Sequence, residues 1–528
     1  MCMTTSGVET LAQRLVNEIQ EGSIRTVKEL SSRKRALAQG LELHHLPTNP
    51  DLLPLLKGQI TKEQEKLFHI KPIRNISGVA VLAAMVKPHM CPHGTCVYCP
   101  KGIHHPAPPA YTGDEPAAQR GYRNNFDAYA QVHSRIEQLQ RTGHSTDKCE
   151  LIIMGGTFLS MPIAYQYEFM QGCLDGIVGK KHETLKEAVH ACETSESRVI
   201  GITMETRPDV AKESDIVRAL EWGTTRVEMG VQSIYDDVLA TLNRQHTIQT
   251  TIDSTRRLKD SCLKVGYHMM SQLPGSTLER DLKAHKEIFT NPDFRPDMVK
   301  LYPLAVVENT ALYPKWKSGE YREITEEEAI SFYAEVKATL PEWTRVMRVQ
   351  RDIPSQNISG GVKKTNLRQM VTQRMKENGT TCRCIRCREV GFKHVNEGVW
   401  PEKVEIVRRE YEASQGKEVF ISAEDVEKDI LVGFIRLRIP HQPFLKELED
   451  SAFIRELHVY GNSVPIGENR EDTGQHKGWG KKLLHEAETI AKNEYGKEKM
   501  NIIAGIGVRE YYKKLGYEQN GAFVGKRL

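Results

Sequence analysis

Hydrophobic and polar positions divide the chain into three textures. Up to about Arg74 it is polar, and Leu11, Leu15 and Ile19 fall at i, i+4 and i+8. That single apolar stripe predicts an amphipathic helix. From Ser77 short apolar runs take over, at 78–86, 150–154, 198–203, 226–231, 264–269 and 298–301, each reading as a buried strand. Gaps of roughly 30 to 65 residues between them leave room for crossover helices, the pattern of parallel β/α units. Six such units predict an α/β fold built on an incomplete TIM-like (β/α)6 barrel. Beyond about Trp400 the pattern predicts strands at 418–422, 430–437, 451–459 and 501–506 with a helix over 481–492, a second and smaller α/β module. The expected organisation is a basic helical segment at 1–74, a barrel domain at 75–350, a basic linker with a cysteine cluster at 351–399, and a final domain at 400–528.

Length and charge narrow the picture. A chain of 528 residues exceeds what one core organises. A net charge of +4 confines any nucleic-acid surface to local patches. Lys28, Arg33, Lys34 and Arg35, then Lys57, Lys62, Lys66, Lys71 and Arg74, form one candidate patch. They read equally as an RNA-contacting surface and as a solvated face. Arg345, Arg348, Arg351, Lys363, Lys364 and Arg368 crowd a second stretch around the Gly-rich turn at 358–361. No apolar run is long enough to cross a bilayer, and the first residues lack the apolar core of a signal peptide. The cysteines cluster as metal ligands do rather than as a disulfide framework, which favours a reducing cytoplasm.

The chemistry concentrates in three places. Cys91, Cys96 and Cys99, spaced C-x4-C-x2-C, stand on one loop straight after the first predicted strand. Three thiolates leave one iron of a [4Fe–4S] cluster without a protein ligand. The loop alone also fits a structural zinc site completed by His93 or His104. Adjacent glycines, Gly155 and Gly156, follow the second strand, where backbone can approach a ligand closely, although an isolated pair also makes an ordinary turn. Glu205 and Arg207 follow the third strand and Gln232 the fourth, so these residues collect at strand C-termini, where barrels of this kind hold their sites. An arginine there can hold a carboxylate through two parallel hydrogen bonds. Cys382, Cys384 and Cys387, spaced C-x-C-x2-C, suit Zn2+, with His394 or a more distant residue as fourth ligand. The alternative is three free thiols. Near the end, Gln475-His476-Lys477-Gly478-Trp479-Gly480 and the helix from Lys481 form a glycine-containing turn suited to a diphosphate.

Several motifs occur together in order: Cys-Pro-His at 91–93, Tyr98-Cys99-Pro100, Tyr111-Thr112-Gly113, Met154-Gly155-Gly156-Thr157-Phe158, Glu205-Thr206-Arg207-Pro208-Asp209 and Gly230-Val231-Gln232-Ser233. In these, from about Ile70 to the C-terminus, the chain resembles the catalytic subunit of Elongator, a radical-SAM family acting on the wobble uridine of tRNA. Eukaryotic members have a longer first cysteine gap, so the resemblance is to the bacterial or archaeal type. It implies that Cys91, Cys96 and Cys99 hold a [4Fe–4S] cluster. It further implies that Gly155, Gly156, Thr157, Glu205, Arg207 and Gln232 bind S-adenosylmethionine (SAM), with Glu205 on the ribose hydroxyls and Arg207 on the carboxylate. The last domain is similar to GNAT acetyltransferases. That similarity places acetyl-CoA against Gln475, His476, Lys477, Gly478, Trp479, Gly480 and Lys481 and along Glu456, Leu457, His458 and Val459. Of Tyr511 and Tyr512, either of which can simply pack its helix, it gives Tyr512 the thioester sulfur. The family also places Lys148 near coenzyme A.

Two functions follow from these expectations. In the first, acetyl-CoA and SAM radical chemistry together place a carboxymethyl group on C5 of the wobble uridine of tRNA. In the second, the chain is a protein lysine acetyltransferase whose iron–sulfur domain is structural, with Glu456 or His458 as general base. The resemblance leaves open whether the chain works alone, as a homodimer or with other Elongator-type subunits.

Overall fold

The computed structural model of the protein describes residues 4–43, 45–56, 58–68, 78–102, 105–460 and 478–528. Two seven-stranded sheets organise it. The first runs in sequence order through β1 (Ala80–Met85), β2 (Lys148–Met154), β3 (Arg198–Thr206), β4 (Arg226–Gln232), β5 (Lys264–Ser271), β6 (Met298–Pro303) and β7 (Arg345–Arg348). Every neighbouring pair is parallel. All six predicted runs are strands of this half-barrel. The seventh strand is additional, and it escapes the pattern because two arginines flank its only two apolar residues, Val346 and Met347.

The crossover helices form where local chemistry favours them. Thr184 and Thr325 each accept from the third helical amide while Glu187 and Glu328 return the bond, which satisfies otherwise orphaned donors at those helix starts. The apolar faces of these helices and the outward faces of the strands form continuous cores around Val227, Val265, Ile288 and Tyr333 on one flank and Leu151, Phe169, Leu174 and Trp222 on the other.

The second sheet holds β8 (Glu405–Ala413), β9 (Gly416–Asp425), β10 (Ile430–Ile439), β11 (Ser451–Val459), β12 (Lys499–Ile502), β13 (Glu518–Asn520) and β14 (Phe523–Arg527), in the order β13-β14-β12-β11-β10-β9-β8. The strand expected at 501–506 ends at Ile502, and Ile506–Val508 forms a 3-10 turn instead. β8 is hidden in the sequence because charged residues, Arg408, Arg409 and Glu410 among them, break its apolar run. Helix Trp479–Asn493 packs Leu483, Leu484, Ala487 and Ile490 on this sheet. At the other end of the chain, helices Thr4–Gln20, Val27–Gly40 and Asn49–Leu56 enclose a separate small core. There Leu11, Leu15 and Ile19 meet Leu30, Leu52, Leu56 and Phe68.

The two sheets meet at the N-terminal ends of the barrel strands. The Gly505-Ile506-Gly507 turn enters the barrel wall, and Ile506 joins the barrel core beside Trp222. A side chain at position 505 would run into the Ile200 carbonyl. Next to it lies a buried ionic contact. β11 carries a bulge at Arg455, where Arg436 pairs Glu456 but Leu437 pairs Ile454. The bulge turns the Arg455 side chain out of the pleat. It donates to Asp297 at 2.6 and 2.7 Å, ahead of β6, and to Glu418 at 2.8 Å. Among the described residues no helix is long and apolar enough to cross a membrane.

Candidate functional site

A cavity of about 170 Å³ opens at the C-terminal ends of the barrel strands. Cys91, Cys96 and Cys99 line it, with Gly155, Gly156, Thr157, Glu205, Arg207 and Gln232. Residues separated by up to 141 positions in the chain are thus brought to one wall by strand order alone. Cys91 Sγ lies 3.2 Å from Thr157 Oγ1. Cys96 Sγ lies 3.1 Å from His93 Nε2 and accepts from Arg244 Nη1 at 3.5 Å. The neighbouring Cys99 thiol and the Arg244 guanidinium hold Cys96 down to about 3, while the same hydrogen bond and burial push Cys99 well up, so Cys96 is the thiolate of that pair. These donors fit a thiolate-ligated cluster.

The walls fit a polar organic ligand. Gly155 packs so closely on Val86 that a Cβ would collide with it, which lets the main chain itself form the surface. Gln232 ends β4 with φ of 70°, a left-handed backbone rare for a side-chain-bearing residue, and its Oε1 is buried without a partner among the described residues. Glu205 accepts from the Tyr111 hydroxyl at 2.6 Å and from Lys300 Nζ at 3.2 Å, leaving lone pairs facing the cavity. Arg207 is more committed than its sequence context implies. It makes a bidentate pair with Asp209 at 2.9 and 3.1 Å, meets His93 Nε2 at 2.9 Å, and donates to the Arg244 carbonyl at 2.6 Å. One N–H on Nη1 is left, so in this arrangement Arg207 offers a single bond rather than a fork.

Arg244 is the main cavity residue that sequence reasoning missed. Its Nε is buried without a partner among the described residues, yet it stands in a loop that carries no local signal. Lys300, His268, Arg348 and Arg351 also line the cavity. Most of the basic residues that crowd 345–368 are individually engaged. Arg345 pairs Glu389, Arg348 pairs Asp352, Lys364 pairs Glu326, and Arg351 donates to the Ala110 carbonyl.

Cys382, Cys384 and Cys387 bring their sulfurs within 4.8 Å of one another. This fits a three-thiolate Zn2+ site. His394 is not part of the group, because its ring stacks on Trp400 at 4.2 Å. Arg368 lies beside the trio, where burial lowers its pKa and the three sulfurs oppose that shift. His104, the other expected zinc partner of the first loop, lies outside the described residues, as do Lys57, Lys71 and Arg74.

In the second sheet, β11 and β12 pair only from Ser451 to Ile454. Among the described residues the β12 pairing stops there, so β11 runs on past the end of β12 through Arg455 to Leu457, an arrangement of the kind that accepts an extended ligand arm. Glu456 accepts from Arg436 Nε at 2.8 Å. The His458 ring lies tilted against Tyr460 at 4.2 Å, and Leu457 and Val459 lean on the core. Gly478 caps helix Trp479–Asn493, whose first turn holds Trp479, Gly480 and Lys481. Gln475, His476 and Lys477 fall outside the described residues. Tyr512 is the buried ring of the tyrosine pair, set edge-on to Tyr511 and Tyr517. Tyr511 directs its hydroxyl to within 3.1 Å of where a Cβ on Gly480 would stand. Lys148 opens β2 at the opposite end of the strand from the cavity.

Residues 85–287 match the Radical SAM superfamily, 296–377 the Radical_SAM C-terminal domain, and 391–517 the Acetyltransferase (GNAT) family. The chain is 48% identical to the tRNA uridine(34) acetyltransferase of Methanocaldococcus jannaschii, over 98% of this chain and 97% of that protein. It is 40% identical to the Elongator complex protein 3 of Saccharomyces cerevisiae, over 97% and 94%. A solved structure, the archaeal Methanocaldococcus infernus Elp3 with an N-terminal deletion, superposes with a TM-score of 0.77 at 46% identity, covering 86% of this chain and all of that one. With both sets of domains and full-length similarity in hand, the chain belongs to the family of the tRNA uridine(34) acetyltransferases and Elongator complex protein 3.

Proposed function

We propose that the chain modifies the wobble uridine of tRNA, placing acetyl-derived carbon on C5 as a carboxymethyl group with acetyl-CoA and SAM as co-substrates. The observation that carries this reading is the single cavity that gathers Cys91, Cys96 and Cys99 with Gly155, Glu205, Arg207 and Gln232. A [4Fe–4S] cluster held by the three thiolates supplies one-electron chemistry, with SAM as the source of the carbon radical. The chain's own part is placement. Gly155, Gly156 and Thr157 present backbone to the methionine end, and Glu205 accepts from ribose hydroxyls. Arg207 gives its remaining N–H to the carboxylate, Arg244 steadies the Cys96 sulfur, and the Gln232 amide oxygen accepts from the ligand. In the last domain, Gly478 to Lys481 receive the diphosphate at a helix N-terminus. The end of β11 from Glu456 to Val459 carries the pantetheine arm, and Tyr512 faces the thioester. The cysteine trio at 382–387 is a structural zinc site.

The geometry weighs against lysine acetylation. A general base for amine attack needs a pKa near the working pH. Burial lowers His458 to about 4. Glu456 is tied to Arg436, which with Lys264 holds it below its ordinary value against the effect of burial. Neither group is poised to take a proton from an ammonium. The N-terminal helices are a candidate tRNA surface, with Lys28 and Arg35 exposed. There Arg33 is spent on Glu18 and Lys34 on Asn49.

The test is coenzyme A release with and without tRNA, together with mass analysis of the recovered nucleoside. Negligible release by the protein alone, stimulation by tRNA bearing a wobble uridine, and a carboxymethyl mass increment are expected. Acetylation of a protein lysine without tRNA-stimulated release would overturn the proposal.

A further inference from the structure

The interior of the half-barrel below the cavity is charged. Glu205 and Lys300 line the cavity floor, and both are buried. Lys300 Nζ lies 3.2 Å from Glu205 Oε1 and also bonds Glu228 Oε2. His268 Nε2 meets that same Glu228 oxygen at 3.1 Å, and Arg226 Nε approaches the other oxygen at 3.3 Å. Arg226 in turn meets Glu150 at 2.5 Å. Glu205, Glu228 and His268 are close enough together to suggest a cation site, but the Lys300 ammonium already sits between the two carboxylates.

We propose that Lys300 is a positioning residue for ligand recognition in the cavity: it supplies the counter-charge of Glu205 and aims that carboxylate at the ligand, while Glu228 and His268 fix Lys300 from behind. The inference rests on the assignment of Glu205 to a ribose. Glu205 has two oxygens and two fixed partners, one on each: Tyr111 on Oε2 and Lys300 on Oε1. With both engaged, the carboxylate plane is set, and the remaining lone pairs have one direction to face. Without Lys300, two buried carboxylates would confront one another across the floor. Burial raises the cost of that arrangement, because charge is poorly screened there. The other groups facing this pair are His268 from β5, Tyr302 from β6 and Arg348 from β7. The titration directions agree with the geometry. Burial alone would raise Glu205, and Lys300 together with His268 brings it below its ordinary value. Burial alone would lower Lys300, and Glu228, Tyr302 and Glu205 bring it above.

The experiment uses full-length protein with its cluster reconstituted without oxygen and two probes. SAM tests the site assignment. 5′-Deoxyadenosine, which carries the ribose without the sulfonium charge, tests Lys300. Lys300→Met should weaken 5′-deoxyadenosine binding by about tenfold or more, the scale of a lost charge-assisted contact. Lys300→Arg should keep most of the affinity. Lys300→Met combined with Glu228→Gln should recover affinity to within about threefold of wild type, since it removes the confronting charge. A purely packing role predicts no such recovery. Iron content and circular dichroism confirm that each variant is assembled, and Lys300→Arg serves if Lys300→Met does not fold. Unchanged nucleoside binding in Lys300→Met, or a double variant no better than the single, overturns the inference while the site assignment stands. Failure of wild-type protein to bind SAM overturns the assignment and the inference together.

Discussion

Asp297 is where the two large domains are most sensitive to a single atom. Its carboxylate takes both Arg455 amino groups at 2.6 and 2.7 Å and the Val265 amide at 2.8 Å. Lys259 lies 3.5 Å away and Arg436 3.7 Å. Around it, Arg438 pairs Asp260 at 2.6 Å and Glu418 at 2.9 Å, and Arg436 pairs Glu456. Four cations thus face four carboxylates, and all but Glu456 are essentially inaccessible to water. Asp297→Asn keeps the shape and removes one negative charge, leaving a buried cation uncompensated. Breaking one side of a buried pair costs about 3–5 kcal/mol. For an unfolding unit of this size that corresponds to a melting point lower by about 10 °C. Thermal melting followed by circular dichroism at pH 7.5 measures it. Adding Lys259→Met to Asp297→Asn restores neutrality and should recover more than half of the loss. The acid limb supplies a second readout. Against burial, Arg455 and Lys259 hold Asp297 well below its ordinary value, so its contribution is complete above about pH 5 and lost as pH falls through the folded pKa. The wild-type advantage over Asp297→Asn should therefore shrink on acidification. A melting point within about 2 °C of wild type at neutral pH would refute the reasoning, because no buried charge can be stranded so cheaply.

Replacing Cys384 and Cys387 with Ala removes two of three clustered thiols; zinc content should fall from about one per chain to near zero and the melting point with it. Unchanged zinc would place the metal elsewhere. Gly480→Val puts a side chain beside the Tyr511 hydroxyl, where even a Cβ would stand only 3.1 Å away. Acetyl-CoA affinity measured by calorimetry should drop by about tenfold or more while tRNA binding is retained. Equal affinity would move the diphosphate away from this helix start.

Much of the architecture was legible in short-range pattern. The six apolar runs were legible because a strand buried on its outer face cannot hide its Val, Ile, Leu and Met. The cysteine and glycine motifs were legible because a loop that must approach a ligand or hold a metal restricts residue type at fixed spacing. β7 and β8 were not, since charged residues end the short β7 and interrupt β8 at five of its nine positions. Arg244 was invisible for a different reason. It reaches Cys96 across 148 positions, and nothing local marks the arginine that will do so.

The same limit explains why the charged barrel interior is not visible in any one strand. Glu150 on β2, Glu205 on β3, Arg226 and Glu228 on β4, His268 on β5 and Lys300 on β6 are strand positions that alternate with apolar ones. An alternating polar position reads as solvent-facing when each strand is taken alone. In a half-barrel those positions face the lumen, where they are buried instead. What permits this is charge matching between strands rather than any property of one strand: Lys300 meets Glu205 95 positions away, and Arg226 meets Glu150. Removing any one member leaves its partners as unpaired charges in a poorly hydrated space. The useful sequence signal is therefore collective. Where successive predicted parallel strands carry opposite charges on their alternate positions, the polar face marks a lumen, and the charges nearest the strand C-termini mark its ligand-facing end.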